Sequence, residues 1–165
     1  MTTTGTQRRT DVEGLRFVGP KRLTENMQAV LVDLIELHLQ GKQAHWNVVG
    51  KNFRDLHLQL DELIDSAREA SDTIAERIRA LQATPDGRSG TVASMTTLPS
   101  FPEGEQSTTD VVDLITGRIA ATVATMRGVH DEVDADDPSS SDLLHAIIDE
   151  LEKFAWMVSM ENHSK

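Results

Sequence analysis

The chain has 165 residues, 26% of them charged, no cysteine and a formal net charge of -11. That length fits one domain with a core of its own, and the missing thiols exclude disulfides, cysteine nucleophiles, iron–sulfur clusters and Cys-type zinc sites. Any metal must therefore be held by nitrogen and oxygen, and the acidic balance disfavours a body built to bind polyanions.

The charge is unevenly spread. Residues 1 to 22 carry Arg8, Arg9, Arg16, Lys21 and Arg22 against Asp11 and Glu13, a net of +3, which leaves -14 on the other 143 residues. We expect a flexible, mildly basic tail there, a bundle over 23–161 and a short C-terminal tail at 162–165. The first residues lack the apolar core of an export signal, and no run reaches the roughly 18 apolar residues that span a bilayer, so a cytoplasmic protein without membrane contact is expected.

From Leu23 the apolar residues Met27, Val30, Leu34 and Leu37 recur at helical steps, with Thr24 as N-cap and Gly50 as stop. A second helix is expected from Phe53 to Ala83, ending before Pro85-Asp86-Gly87. Segment 84–106 holds three of the five prolines and three of the ten glycines, and reads as a long connection with a short helical turn near Thr91 to Met95. A connection of that length lets two successive helices lie parallel. Ser107 then caps a third helix with Val111, Val112, Ile115, Ile119, Val123 and Met126 on its apolar face. Pro138 opens a fourth with Leu144, Ile147, Ile148, Leu151, Ala155 and Val158. The fold class is all-α, a four-helix bundle with one crossover.

Five potential ligands stand out: His45, His57, Asp61, Asp72 and Glu76, spaced H-W-x10-H-x3-D-x10-D-x3-E. Residues four apart share a helix face, so His57 with Asp61, and Asp72 with Glu76, form two pincers suited to iron, manganese or zinc. A lone His-x3-Asp is far more often a solvated pair, but five positions in register weigh against that. Asp61 and Asp72 face nearly the same way yet lie about 16 Å apart along the axis, too far to share one ion at bonds of about 2 Å. A second copy of the helix, antiparallel about a two-fold axis, removes the difficulty. If opposing positions sum to 133, His57 meets Glu76 and Asp61 meets Asp72 of the partner subunit, and Asp65 falls against Arg68 twice. His45, near the end of the first helix, completes the set.

With HWNVVG at the first ligand, AER at the last and KFAWM at Lys153 to Met157, the chain resembles the mini-ferritins known as DNA-binding proteins from starved cells. The resemblance covers the bundle, and implies a ferritin-like fold assembling into a hollow homododecamer built from two-fold dimers. It implies a ferroxidase centre between subunits, with His45, His57 and Asp61 from one chain and Asp72 and Glu76 from its neighbour. That centre would hold at most two iron ions (Fe2+/Fe3+), with no organic cofactor, and hydrogen peroxide would be the preferred oxidant. It further implies a three-fold pore lined by the loop between the last helices, where Asp134, Asp136, Asp137 and Asp142 would draw in Fe(II). A solvated acidic loop is the plainer reading of those residues.

Trp46 is equally a near-site quencher of oxidants and a packing residue. Glu62 and Asp65 are candidates for mineral nucleation, a role that a charged helix face explains as well. His38 reads as structural or interfacial, while His130, His145 and His163 show no comparable partners. Three other functions compete. An ordinary ferritin or bacterioferritin would need Glu-x-x-His, which is absent. A zinc hydrolase would need HExxH, which is absent too. A nucleoid-compacting protein would bind DNA through Arg8, Arg9, Arg16, Lys21 and Arg22.

Overall fold

The computed structural model describes residues 17–163. Its elements are helix α1 (Lys21–Asn47), strand β1 (Val48–Val49), helix α2 (Phe53–Ala80), short helix α3 (Ser89–Met95), strand β2 (Gln106–Ser107), helix α4 (Thr108–Asp136) and helix α5 (Pro138–Ser159), with a closing 3-10 turn at Met160–Asn162. Helix α1 packs on α2 and α4, and α5 on α4 and α2, which closes a four-helix ring.

The apolar stripes drive this arrangement. Leu23, Met27, Val30, Leu34 and Leu37 are all fully buried, as are Val111, Ile115, Ile119 and Met126 of α4 and Leu144 and Val158 of α5. Each buried side chain of this size contributes about 1.5–3 kcal/mol by leaving water, and the 3.6-residue period puts them along one line per helix. Ser107 caps α4 by accepting from the Asp110 backbone N–H, and Pro138 occupies the first turn of α5.

Two boundaries depart from expectation. Helix α1 begins at Lys21, preceded by Pro20 in an extended conformation; Thr24 lies inside the first turn, its hydroxyl donating to the Lys21 carbonyl. Proline fixes the backbone angle and pre-organises the start, so no side-chain cap is needed. Lys21 and Arg22 are thus helical, and Gly19 is already tied to Leu81 by a backbone hydrogen bond of 3.1 Å. Helix α2 ends at Ala80 instead of Ala83, because Gln82 turns into the left-handed region at φ 68°.

The connection after α2 serves the architecture. β1 and β2 pair in parallel, Val48 with Gln106 and Val49 with Ser107, so the exit of α1 and the start of α4 lie at one end of the bundle. Helix α2 starts at that end as well, so α2 and α4 run parallel and the crossover spans the bundle's length. Gly50, at φ +127°, makes the turn between α1 and α2, where an added Cβ would lie 3.2 Å from the Thr108 hydroxyl.

Buried Asp33 of α1 holds the crossover in place. Its carboxylate accepts from the Thr96 hydroxyl at 2.9 Å, the Thr97 N–H at 2.8 Å and the Thr97 and Thr125 hydroxyls at 2.6 Å each. A buried charge is tolerated when its lone pairs are filled in this way. Gln40 and Arg118 bind the carbonyl of Pro99 from the other side, at 2.9 and 3.4 Å.

Candidate metal centre

The Val48–Gly50 reversal lays the last turn of α1 against the first turns of α2, which brings His45 and His57 face to face. Their rings stack with centroids 3.6 Å apart. His45 Nδ1 donates to the His57 carbonyl and His57 Nδ1 donates to the His45 carbonyl, each at 3.0 Å. A carbonyl can only accept, so both Nδ1 atoms carry the proton and both Nε2 atoms keep a free lone pair. Such backbone bonds fix ring orientation in metal-binding histidines. His45 is buried and His57 half-buried.

Asp61, one turn after His57, brings its carboxylate to the same place. A ligand atom from each of His45, His57 and Asp61 lies within 4.8 Å of the others, the one such group among the described residues. His45 Nδ1 also lies 3.3 Å from Asp61 Oδ1, a second acceptor for the same proton. The donor set of two imidazoles and one carboxylate fits Fe(II) or Zn(II).

Lys42, absent from the sequence reading, completes this cluster. Its Nζ donates to Asp61 Oδ1 at 2.7 Å, and this bond, with the Lys42 charge, holds the Asp61 carboxyl below its ordinary range against the opposing effect of burial. The signal lay in the Lys42-x-x-His45 spacing, which puts the ammonium on the ligand face of α1.

Asp72 and Glu76 are not brought to this cluster. Both are exposed on α2, about three and four helical turns beyond Asp61. Asp72 lines a groove of about 700 Å³ between α1 and α2, with Asp65, Arg68 and His38 in its walls. His38 is held neutral by burial and secondarily by the nearby Arg68 charge, and its Nδ1 is buried without a partner. Large apolar side chains are exposed on the stretches of α1 and α2 that carry His45 and His57: Trp46 is 68% exposed, Leu39, Phe53 and Leu58 are exposed as well, and the Phe53 ring lies 5.0 Å from that of His57. At that exposure Trp46 is not a core residue of the single chain. Glu62 and Asp65 are exposed on α2.

The acidic loop needs correction. Asp137 does not stand free: it is buried at the α4–α5 turn, bound by Arg77 at 2.5 Å and by the Ser140 hydroxyl. Burial pushes its carboxyl up, but the Arg77 and Ser140 hydrogen bonds and the Arg77 charge outweigh it and hold the group below its usual range. Asp136 is taken by Arg22 through two hydrogen bonds of 3.0 and 2.6 Å, and Asp134 accepts from the Ser141 hydroxyl at 2.6 Å. Asp134 and Asp142 are both exposed, and Asp142 lies 3.7 Å from His145 Nδ1. The same Arg22 bond removes that residue from the free basic tail, while Lys21 pairs with Glu25 at 3.2 Å. Arg8, Arg9 and Arg16 lie outside the described residues.

Comparison with known proteins agrees with the fold. A family profile for a ferritin-like domain matches residues 24–161. A DNA protection during starvation protein of Agrobacterium fabrum is 32% identical, over 82% of this chain and 84% of the relative. Its counterpart in Mycolicibacterium smegmatis is also 32% identical, over 89% and 80%. The fine tangled pili major subunit of Haemophilus ducreyi is 36% identical, over 89% of this chain and 78% of that protein. The chain spans 57% of a further relative, DNA protection during starvation protein 2 of Deinococcus radiodurans. Among solved structures, Dps from Mycobacterium smegmatis superposes with a TM-score of 0.84 at 28% identity, covering 93% and 94% of the two chains. Dps from Microbacterium arborescens in its high iron form gives 0.82 at 30% identity, covering 88% and 97%. The chain belongs to the ferritin-like Dps family of mini-ferritins.

Proposed function

We propose that this protein takes up Fe(II), oxidises it at a centre shared between two subunits and stores the ferric product inside a closed dodecameric shell. The observation that carries the reading is the half-built site. His45, His57 and Asp61 converge with both Nε2 lone pairs free, while Asp72 and Glu76 stand exposed on the same helix, out of reach. An antiparallel second copy would supply Asp72 and Glu76 of the partner subunit, and C2 symmetry would make two such sites per dimer. The exposed apolar side chains on the stretches of α1 and α2 that carry the histidines give that copy a surface to cover.

Iron is substrate here. Two Fe(II) each give up one electron to hydrogen peroxide, whose O–O bond breaks as two protons are taken up, yielding two Fe(III) and two waters. A two-electron path of this kind releases no hydroxyl radical, which would protect DNA without touching it. The electrostatics favour that route over coating DNA. With Lys21 and Arg22 engaged, residues 1–20 keep three arginines against two carboxylates, little charge for phosphate binding.

The test is native mass determination combined with anaerobic Fe(II) titration. Iron bound before oxidant by an assembled shell is the expected result; a monomer, or no binding until oxidant is added, overturns the proposal. Replacing Asp61 and Glu76 together by Ala should reduce Fe(II) oxidation to the protein-free rate, and wild-type rates in that variant would refute the centre.

A further inference from the structure

His130 of α4 and His145 of α5, which the sequence leaves without partners, face each other across the groove between these helices. Their Nε2 atoms are 2.6 Å apart and their ring centroids 4.6 Å apart. Each Nδ1 is turned to a carboxylate: His130 Nδ1 lies 3.1 Å from Asp131 Oδ1 and His145 Nδ1 lies 3.7 Å from Asp142 Oδ1. The Asp131 carboxylate accepts, so the His130 proton belongs on Nδ1 and the His130 Nε2 lone pair faces His145 Nε2; the 3.7 Å contact is too long to hold the His145 proton on its Nδ1. His145 Nε2–H donating to His130 Nε2 satisfies the pair, and so does a cation taken up between the two nitrogens. A shared proton is one solution, and a metal ion is the other, with the carboxylate–imidazole–metal order typical of bound metals.

The surroundings decide for a metal. The groove has a volume of about 420 Å³, and Asp149 and Glu152 line it beside the two histidines. Asp149 lies one turn after His145, so His145-x3-Asp149 repeats the spacing of His57-x3-Asp61 on another helix. The one cation nearby, Arg127, is paired with Glu152 and leaves Asp149 available. We propose that His130 and His145 form the core of a second metal site for a divalent transition ion of the Zn(II) class, bound through their two imidazole nitrogens and, once the Asp149 side chain turns in from the groove wall, one carboxylate oxygen, with water completing the tetrahedron. The site lies wholly within one chain and does not depend on the five-residue centre. Its two imidazoles must part slightly to admit the ion, and both are at the surface, with side chains 26% and 57% exposed.

Zn(II) itself is the probe, applied to the full chain in its assembled state. Equilibrium dialysis should show one Zn(II) per chain fewer in H130Q/H145Q than in wild type, and the same equivalent retained in H45Q/H57Q. Crystals soaked in Co(II) should give an anomalous scattering peak between the two Nε2 atoms. Equal Zn(II) stoichiometry in wild type and H130Q/H145Q overturns the proposal. So does a Co(II) peak beside His45 and His57 with none at His130, and that measurement needs no variant to fold.

Discussion

The Lys42 ammonium, 2.7 Å from Asp61 Oδ1, occupies the carboxylate that a metal would need. It balances the ligand charge when no metal is bound and competes when one arrives. Both partners are more than a third exposed, so the pair is worth about 0.2–1 kcal/mol after solvent screening. Changing Lys42 to Met keeps the stem and removes the competitor. Fe(II) or Zn(II) affinity at this centre, measured by anaerobic calorimetry, should rise by up to about fivefold, the equivalent of 1 kcal/mol. An unchanged or weaker affinity would show that Lys42 supports the ligand instead of opposing the metal. The approach of His57 to Asp61 was legible because one-turn spacings are written in the sequence: the two share a face whatever the fold does. The pairing of His45 with the His57 carbonyl was not, because it depends on how sharply Val48–Gly50 reverses the chain. Nor was Asp137 legible as a buried anchor. An acidic run looks the same on paper whether an arginine 60 residues away reaches it or not.

At the scale of elements, two buried carboxylates hold the long pieces together. Asp33 gathers four donors from the crossover and from α4, and Asp33→Ala would leave the Thr97 N–H, the Thr96 hydroxyl proton and one proton of the Thr97–Thr125 hydroxyl pair without an acceptor. Several orphaned donors at this depth cost about 3 kcal/mol, which denaturant unfolding should register. Limited proteolysis should then cut within 84–106 before the helices. Asp137 acts at the opposite turn, where Arg77 of α2 binds it. Because its folded carboxyl is depressed, its contribution is fully present above the ordinary value of 3.8 and is lost as pH falls through the lower folded value. The thermal stability of wild type should exceed that of Asp137→Asn at pH 6, with the gap closing below about pH 3.8 and no such slope in the variant. The four helices were legible from apolar periodicity alone, since every residue of the α1 stripe is buried. The ends were not. A proline start at Pro20 and a left-handed Gln82 are local backbone solutions that periodicity does not encode.

For the whole molecule, the antiparallel register predicts that Asp65 lies against Arg68 of the partner subunit. Both are exposed in the groove beside Asp72, and neither forms an ion pair among the described residues. Arg68→Asp should place like charges across the dyad and weaken the dimer, while the swapped double variant D65R/R68D should restore it. Sedimentation of the three proteins checks this, and failure of the swap would rule out the register. The division of ligands between two exposed surfaces of one chain has a consequence for order in time. A newly made subunit that meets ferrous iron holds three donors and cannot complete the chemistry. Total activity would then fall on dilution as the square of subunit concentration where dimers are scarce, and specific activity in proportion to that concentration. Oxidation would begin only where a partner, and with it the wall of a container, is already in place.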